Sequence, residues 1–299
     1  MGKIIVLPKP GKDKRRPESY RPITLLSHVA KLFDRLILRR LKPCISLREE
    51  QYGFRDGHST TLQLVRVLHH LSVEHNRGRH SVGVFLDIEK AFDQVWHEGL
   101  IYKLMTTSTP PALVRIVALF LHGRSFYVSI EDADSRSLPI EAGVPQGSCL
   151  SPCLYAVYTN DIPVLEFPEG ETGVVLALFA DDSAFFASSR RAELAAAMMQ
   201  RQLDLLPEWL DRWRMAVNVG KTAALLVSRR LSPLPPLRLR GEGVGWEAAV
   251  KYLGCRIDRR LRMHVHAEYA IRNARAAKAQ LRLLSCCIRN YHTNVTDPW

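Results

Sequence analysis

The 299-residue sequence has no long apolar run. Its longest uninterrupted apolar stretch is 174–180, far short of the ~20 apolar residues that cross a membrane. The first residues also lack the apolar segment and small-residue cleavage site of a secretion signal. We therefore expect an intracellular protein with no membrane partner, in the nucleus or the cytoplasm.

Paired cysteines are scarce as well. The chain has six cysteines, and none of them forms the Cys-x-x-Cys pair of zinc sites and thioredoxin-like redox sites. Cys286 and Cys287 are neighbours in sequence and make a poor disulfide pair. We interpret all six as ordinary thiols in a reducing compartment.

The charge is strongly basic and unevenly distributed. The whole chain carries +12, of which 1–42 holds +9 and 254–299 holds +6, which leaves −3 for the middle. A basic excess is typical of proteins that bind polyanions such as nucleic acids. Solubilising surface charge explains the same composition equally well, so the total charge does not choose between the two.

The hydrophobic spacing predicts helices and short strands in irregular alternation, an α+β chain. We expect Pro207 to break one long helix and 231–247 to form a connector or loose hairpin. The predicted helices are 27–41, 61–75, 98–105, 112–122, 151–161, 192–217 and 267–284. The predicted strands are 4–7, 81–86, 126–130, 138–142, 174–179, 184–187 and 223–228.

Two acidic sites each end an apolar strand. Asp87 follows 82–86, and Asp181 and Asp182 follow 174–180. If the strands are neighbours, the carboxylates meet, and such a cluster needs a cation such as Mg²⁺ to neutralise it. Two metals held in this way can drive an in-line phosphoryl transfer. The alternative is an ordinary hairpin turn, in which aspartate is common.

Three sequence blocks in a fixed order distinguish these interpretations: FLDIEKAFD at 85–93, GVPQGSCLSP at 143–152 and FADD at 179–182. Supporting blocks are YRPITL at 20–25, QYGFR at 51–55, NVGKT at 218–222 and YLG at 252–254. The succession, from about residue 4 to about residue 270, resembles reverse transcriptase domains. It is most similar to those of non-LTR retrotransposons of the jockey-like, LINE-type group.

The resemblance implies a right-hand polymerase with an antiparallel palm sheet flanked by helices. Its fingers would be 1–80 and 106–142, its palm 81–105 and 143–250, and 251–299 would hold the primer grip and an incomplete thumb. Asp87, Asp181 and Asp182 match the catalytic, metal-binding triad, with two Mg²⁺ ions as cofactor and Mn²⁺ as a possible substitute. The partners implied are an RNA template, a DNA primer and deoxynucleoside triphosphates, and the oligomeric state stays open.

The resemblance also assigns nucleotide-binding residues: Lys9, Arg21, Phe92, Gln146, Gly147 and Lys221. Lys9 and Arg21 would grip the triphosphate, and the bulky Phe92 would exclude a 2′-hydroxyl. Gln146 and Gly147 would lie close to the nascent base pair, and Lys221 would protonate the leaving pyrophosphate. Taken singly, Phe92 has the alternative of a core aromatic, and Lys221 that of an exposed lysine.

The block Tyr252, Leu253 and Gly254 resembles the primer-grip hairpin, and the basic helix after it the start of a thumb. Asp93 is predicted to cap a local turn. Proteins of this family are usually longer, so the chain looks like a fragment of one. Two alternatives remain open: a catalytically silent nucleic-acid-binding remnant, and a reverse transcriptase of the group II intron maturase type.

Overall fold

The computed structural model describes residues 2–9, 11, 13, 15–130, 133–166, 173–229 and 233–293. Its first sheet has the order β2-β1-β4-β5, with β6 also paired to β4. Strands β1 and β2 are antiparallel, whereas β1 and β4 are parallel. The bounds are β1 Gly2–Pro8, β2 Tyr20–Leu25, β4 Ser125–Ile130, β5 Ala133–Asp134 and β6 Leu138–Pro139.

The central sheet has six strands in the order β10-β11-β9-β3-β8-β7. Strand β3 lies in the middle, antiparallel to both β8 and β9. The bounds are β3 His80–Asp87, β7 Val175–Phe179, β8 Asp182–Ser189, β9 Ala223–Val227, β10 Leu237–Leu239 and β11 Glu242–Glu247. A separate hairpin pairs β12 Ala249–Tyr252 with β13 Cys255–Asp258.

Strand β3 is buried on both faces, which explains why its sequence is a continuous apolar run. Val82, Val84 and Leu86 belong to the larger core cluster on one face. Phe85 belongs to a smaller cluster on the other face, together with Phe186 of β8. The sheet therefore separates two hydrophobic cores.

Two serines begin the first helices: Ser27 Oγ accepts the N–H of Ala30, and Ser59 Oγ accepts that of Leu62. The helix α6 packs on β3 and β8, while α2 packs on β3 and β7. The bounds are α1 His28–Leu41, α2 Thr60–Asn76, α3 His97–Met105, α4 Pro111–Leu121, α5 Ser151–Tyr158, α6 Ala192–Asp204, α7 Leu206–Arg212 and α8 His264–Thr293.

Most predicted elements are confirmed, and the differences have local causes. The break at Pro207 is confirmed because proline lies in the first turn of α7, but that helix ends at Arg212, short of 217. The predicted helix 151–161 ends at Tyr158.

Of the two alternatives predicted for 231–247, a connector or a loose hairpin, the hairpin is confirmed within the described residues 233–247, because β10 and β11 pair antiparallel. In addition, β11 joins β9 in parallel. The predicted antiparallel sheet is confirmed for β3, β7, β8 and β9, and this one parallel pair is an addition toward the β10 edge.

No helix in the described part of the chain is both long and apolar enough to cross a membrane. Lys12 and Lys14, which contribute to the basic charge of 1–42, lie outside the described residues, as does the tail 294–299.

Candidate active site

The three aspartates meet at one end of the central sheet. Asp87 is the last residue of β3 and pairs in register with Asp182, the first residue of β8. Asp181 precedes it in the tight turn that joins β7 to β8. In that turn Ala180 has φ 58°, a left-handed conformation that strains a residue with a Cβ. The predicted clustering of the aspartates on neighbouring strands is confirmed.

The electrostatics of Asp182 show how crowded these carboxylates are. Burial and, after it, the negative charges of Asp181 and Asp87 together raise the pKa of Asp182 to about 6. The charge of Lys251, on β12, acts in the opposite direction. A cation placed among the carboxylates would remove this repulsion, because it favours the ionised form of each.

The donor set fits a hard divalent cation, since all three side chains offer carboxylate oxygens. Within the described residues, however, no group of three or more His, Cys, Asp or Glu side chains is already placed to hold a metal ion. The assignment of metal to Asp87, Asp181 and Asp182 therefore stays a prediction.

A turn over residues 218–222 holds the end of β3. The N–H of Asn218 donates to the carbonyl of Asp87 at 2.8 Å, and the N–H of Asp87 donates to Thr222 Oγ1 at 3.3 Å. Lys221, in the same turn, lies with Nζ 3.7 Å from Asp87 Oδ2, and its side chain is 70% exposed. The turn thus fixes the backbone of Asp87 and brings one cation to its carboxylate.

The block at 51–55 packs against the turn at 180–181, which joins β7 to β8 and is called the aspartate turn below. The N–H of Tyr52 donates to the carbonyl of Leu178 at 2.9 Å. A Cβ on Gly53 would lie 2.3 Å from the amide nitrogen of Ala180, so only glycine fits. Sequence reasoning used this block only as support for the resemblance and missed its contact with the site.

Phe92 lies in an aromatic group next to the aspartates. Its ring stacks on Tyr155 at 4.8 Å between centroids, with an interplanar angle of 25°. Phe54 meets it edge-on at 6.1 Å and 81°. Phe92 is only partly buried against the core, so it is neither a fully enclosed core residue nor a free surface ring.

The loop 143–147 links β2 of the first sheet to the residues that follow β3. The side-chain Nε2 of Gln146 donates to Asp93 Oδ1 at 3.0 Å, and the backbone carbonyl of Gln146 accepts the N–H of Thr24 on β2 at 2.9 Å. Gly147 has φ 117°, and a Cβ there would lie 2.8 Å from the carbonyl oxygen of Thr24. The Asp93 carboxylate thus holds Gln146 across the loop, where the sequence had predicted a local cap.

The two fingers candidates lie in the first sheet, away from the strands that carry the aspartates. Arg21 is exposed on β2 opposite Leu7. Lys9 follows β1, and its N–H donates to the carbonyl of Ser19 at 2.7 Å. Their contact with a triphosphate stays a prediction.

The predicted primer-grip block forms the turn of the β12–β13 hairpin. Leu253 and Gly254 both have positive φ, 46° and 82°, as a two-residue hairpin turn requires. Tyr252 is buried, with its ring 5.4 Å from Phe85 and its hydroxyl accepting from Gln63 at 3.5 Å. Burial raises its pKa above the ordinary value. Tyr252 is therefore an anchor for the hairpin.

Comparison with known proteins now agrees with the geometry. Residues 7–257 match the family described as reverse transcriptase (RNA-dependent DNA polymerase). The chain belongs to the reverse transcriptase family. The resemblance drawn from the motifs, to domains of non-LTR retrotransposons, is confirmed.

Two relatives from Drosophila melanogaster illustrate the match. The RNA-directed DNA polymerase from mobile element jockey is 38% identical over 271 residues, covering 88% of this chain and 29% of that protein. The probable RNA-directed DNA polymerase from transposon BS is 37% identical over 292 residues, covering 95% of this chain and 32% of that protein. The chain thus spans about a third of the length of these relatives.

The fold itself has relatives among solved structures. A telomerase from Candida tropicalis, in complex with a fragment of telomeric RNA, superposes with a TM-score of 0.58 at 12% identity. The superposition covers 88% of this chain and 44% of the telomerase chain. The α+β polymerase fold is therefore confirmed.

Proposed function

We propose that this chain is the catalytic part of an RNA-directed DNA polymerase of a non-LTR retrotransposon, which extends a DNA primer on an RNA template. The observation that carries the proposal is the register pair of Asp87 and Asp182, with Asp181 in the adjoining turn. The jockey and BS relatives are both named as RNA-directed DNA polymerases, which supports the same reaction.

Asp87 and Asp181 are proposed as the main ligands of two Mg²⁺ ions, with Asp182 beside them and Mn²⁺ as a possible substitute. Bound metal would supply activation of the primer 3′-hydroxyl and charge stabilisation on the leaving pyrophosphate. Support comes from the register pair of Asp87 and Asp182, and from the pKa of Asp182, which is raised by burial and also by the charges of Asp181 and Asp87.

The chain's other residues would position the nucleotide. Lys221, close to Asp87 and exposed, can donate a proton to the leaving group. Phe92 would press against the sugar and exclude a 2′-hydroxyl. Gln146 and Gly147 would form the floor of the base-pair pocket, while Lys9 and Arg21 would bind the phosphates.

We retain the domain boundaries as part of the proposal: fingers 1–80 and 106–142, palm 81–105 and 143–250, primer grip and incomplete thumb 251–299. The sharing of strands supports this division, because β1, β2 and β4 form one sheet and β3, β7, β8 and β9 another. The helix α8 would lie along the primer–template duplex through its exposed basic residues, Arg272, Arg275 and Lys278. Arg282 belongs to the same helix, and its side chain lies outside the described residues. The place of action would be the nucleus or the cytoplasm.

Primer extension on poly(rA)/oligo(dT) with Mg²⁺ tests the proposal. Wild type should extend the primer with dTTP, and Asp181→Ala should not, because a ligand of the metal is lost. Asp134→Ala is the matched control, since it removes an exposed aspartate from the first sheet. Extension that survives Asp181→Ala, or that is lost equally in Asp134→Ala, contradicts the proposal.

A silent nucleic-acid binder is the second candidate, favoured by the lack of a ready metal cage within the described residues. It predicts binding to an RNA–DNA duplex that weakens steeply with salt, without any nucleotide incorporation. Fluorescence anisotropy between 50 and 200 mM salt, beside the extension assay, separates the two candidates. The identity to jockey-type elements speaks against the group II intron maturase alternative.

A further inference from the structure

Phe54 is an aromatic side chain with no core function. Its side chain is 44% exposed, although burying an aromatic ring is one of the larger gains available to a folding chain. Its backbone has φ 60°, a conformation that strains a residue with a Cβ. Backbone strain and side-chain exposure at one residue are typical of binding sites, where the surrounding structure holds a side chain in a position that is not the most stable one.

The position of Phe54 is set by its neighbours in the aspartate turn. The N–H of Gly53 donates to Gln51 Oε1 at 2.9 Å, which closes a local turn. Gly53 then packs directly on Ala180, with no room for a Cβ. Phe54 is thereby fixed relative to Asp181, one residue beyond Ala180.

Phe92 is in contact with two aromatic rings, and one of them is Phe54. Tyr155, itself fully buried, supports one face of Phe92 by stacking. Phe54 meets Phe92 edge-on from a second direction. A ring held from two sides cannot turn away to admit a larger ligand without breaking one of these contacts.

We propose that Phe54 is a second specificity-determining residue, which forms with Phe92 an apolar wall for the deoxyribose of the incoming nucleotide. The inference rests on the proposed function and deepens it. The neutral C–H edge of a 2′-deoxyribose suits the exposed ring, whereas a 2′-hydroxyl against it would lose its hydrogen bonds to water. Phe54 also holds Phe92 in the position that excludes the hydroxyl.

Single-nucleotide incorporation on poly(rA)/oligo(dT) tests this, with kcat/KM measured for dTTP and for UTP. In Phe54→Ala we expect the preference for dTTP over UTP to fall by about 3- to 10-fold, the worth of one edge-on aromatic pair. Phe54→Tyr keeps the ring and should restore the preference. Phe33→Ala is the control, because Phe33 is a phenylalanine of similar exposure, 49%, on α1.

The double variant Phe54→Ala/Phe92→Ala gives a further readout. If the two rings form one wall, its loss of preference is smaller than the product of the two single losses. Unchanged dTTP preference in Phe54→Ala, in an active enzyme, overturns the inference and leaves the proposed function intact. An equal loss of dTTP preference in Phe33→Ala also overturns the inference and leaves the proposed function intact.

Inactivity of the wild type in extension overturns the proposed function separately. In that case the role of Phe54 is tested by equilibrium binding of dTTP and UTP, measured as the shift in melting temperature that each nucleotide causes. A wild type that shows no preference for dTTP there overturns this inference as well, whereas a preference lost in Phe54→Ala and kept in Phe33→Ala supports it.

Discussion

We expect ionised Asp182 to destabilise the metal-free protein. The substitution Asp182→Asn should therefore raise the free energy of unfolding at neutral pH. Burial and the charges of Asp181 and Asp87 raise the pKa of Asp182 from 3.8 to about 6. At about 1.4 kcal/mol per pKa unit this sets an upper limit of about 3 kcal/mol. Because Asp182 is exposed to water, which screens the charges, we expect about 1 kcal/mol.

The direction of the pH dependence follows from which state, folded or unfolded, binds the Asp182 proton more tightly. The folded pKa lies above the unfolded one, so the folded chain binds more protons between about pH 4 and pH 6, and its free energy of unfolding falls as the pH rises through this window. The penalty is complete above pH 6 and absent below the unfolded pKa. The asparagine variant lacks this titration, so its advantage over wild type should be full at pH 7.5 and about half as large at pH 5.

Urea unfolding in EDTA at pH 5 and pH 7.5 measures the effect, with Asp134→Asn as the exposed control. Added Mg²⁺ should stabilise wild type more than Asp182→Asn, because the cation offsets the repulsion that the variant has already lost. A variant no more stable than wild type at pH 7.5, or equally favoured at both pH values, would refute the reasoning. We expect Asp182→Asn to be more stable than wild type and to have lost primer extension.

Three further predictions concern the surroundings of the aspartates. Gly147→Ala places a Cβ against the Thr24 carbonyl at a positive φ and should lower the free energy of unfolding by about 2 kcal/mol in urea titration; a loss below about 0.5 kcal/mol would contradict the packing. Thr222→Val removes the acceptor of the Asp87 N–H and should cost about 1 kcal/mol in the same titration, with Thr222→Ser as the control that keeps it. Lys221→Ala should lower kcat of primer extension about 100-fold with little change in KM for dTTP, and an unchanged kcat would remove this lysine as the proton donor.

Local sequence patterns predicted the elements whose signals are strong within a few residues. The continuous apolar run before Asp87 and the run before Asp181 predicted buried strands, and the serine at 27 marks where α1 begins. Pro207 predicted the helix break because its ring cannot continue a helix. These features depend on backbone chemistry and hydrophobic period, both of which a single segment contains.

Other features needed contacts between distant parts of the chain. Near the start of α6 the large apolar Leu194 is 49% exposed, whereas the buried face contains Ala195 and Met199. Alanines pack closely on β3 and β8, so the face toward the sheet is chosen by fit and not by hydrophobicity alone. The parallel pairing of β11 with β9 was missed because β10 lies between the two strands in sequence, so no tight hairpin turn marks the pairing.

The sequence by itself determined the family, since motif order is a property of the chain, and it determined which aspartates end apolar strands. Only the tertiary structure decided how these residues meet. The register of β3 with β8 places Asp87 opposite Asp182. Packing of Gly53 on Ala180 brings Phe54 beside Phe92. The physical reason is that register and close packing arise between segments 30 to 130 residues apart, and no local pattern specifies them.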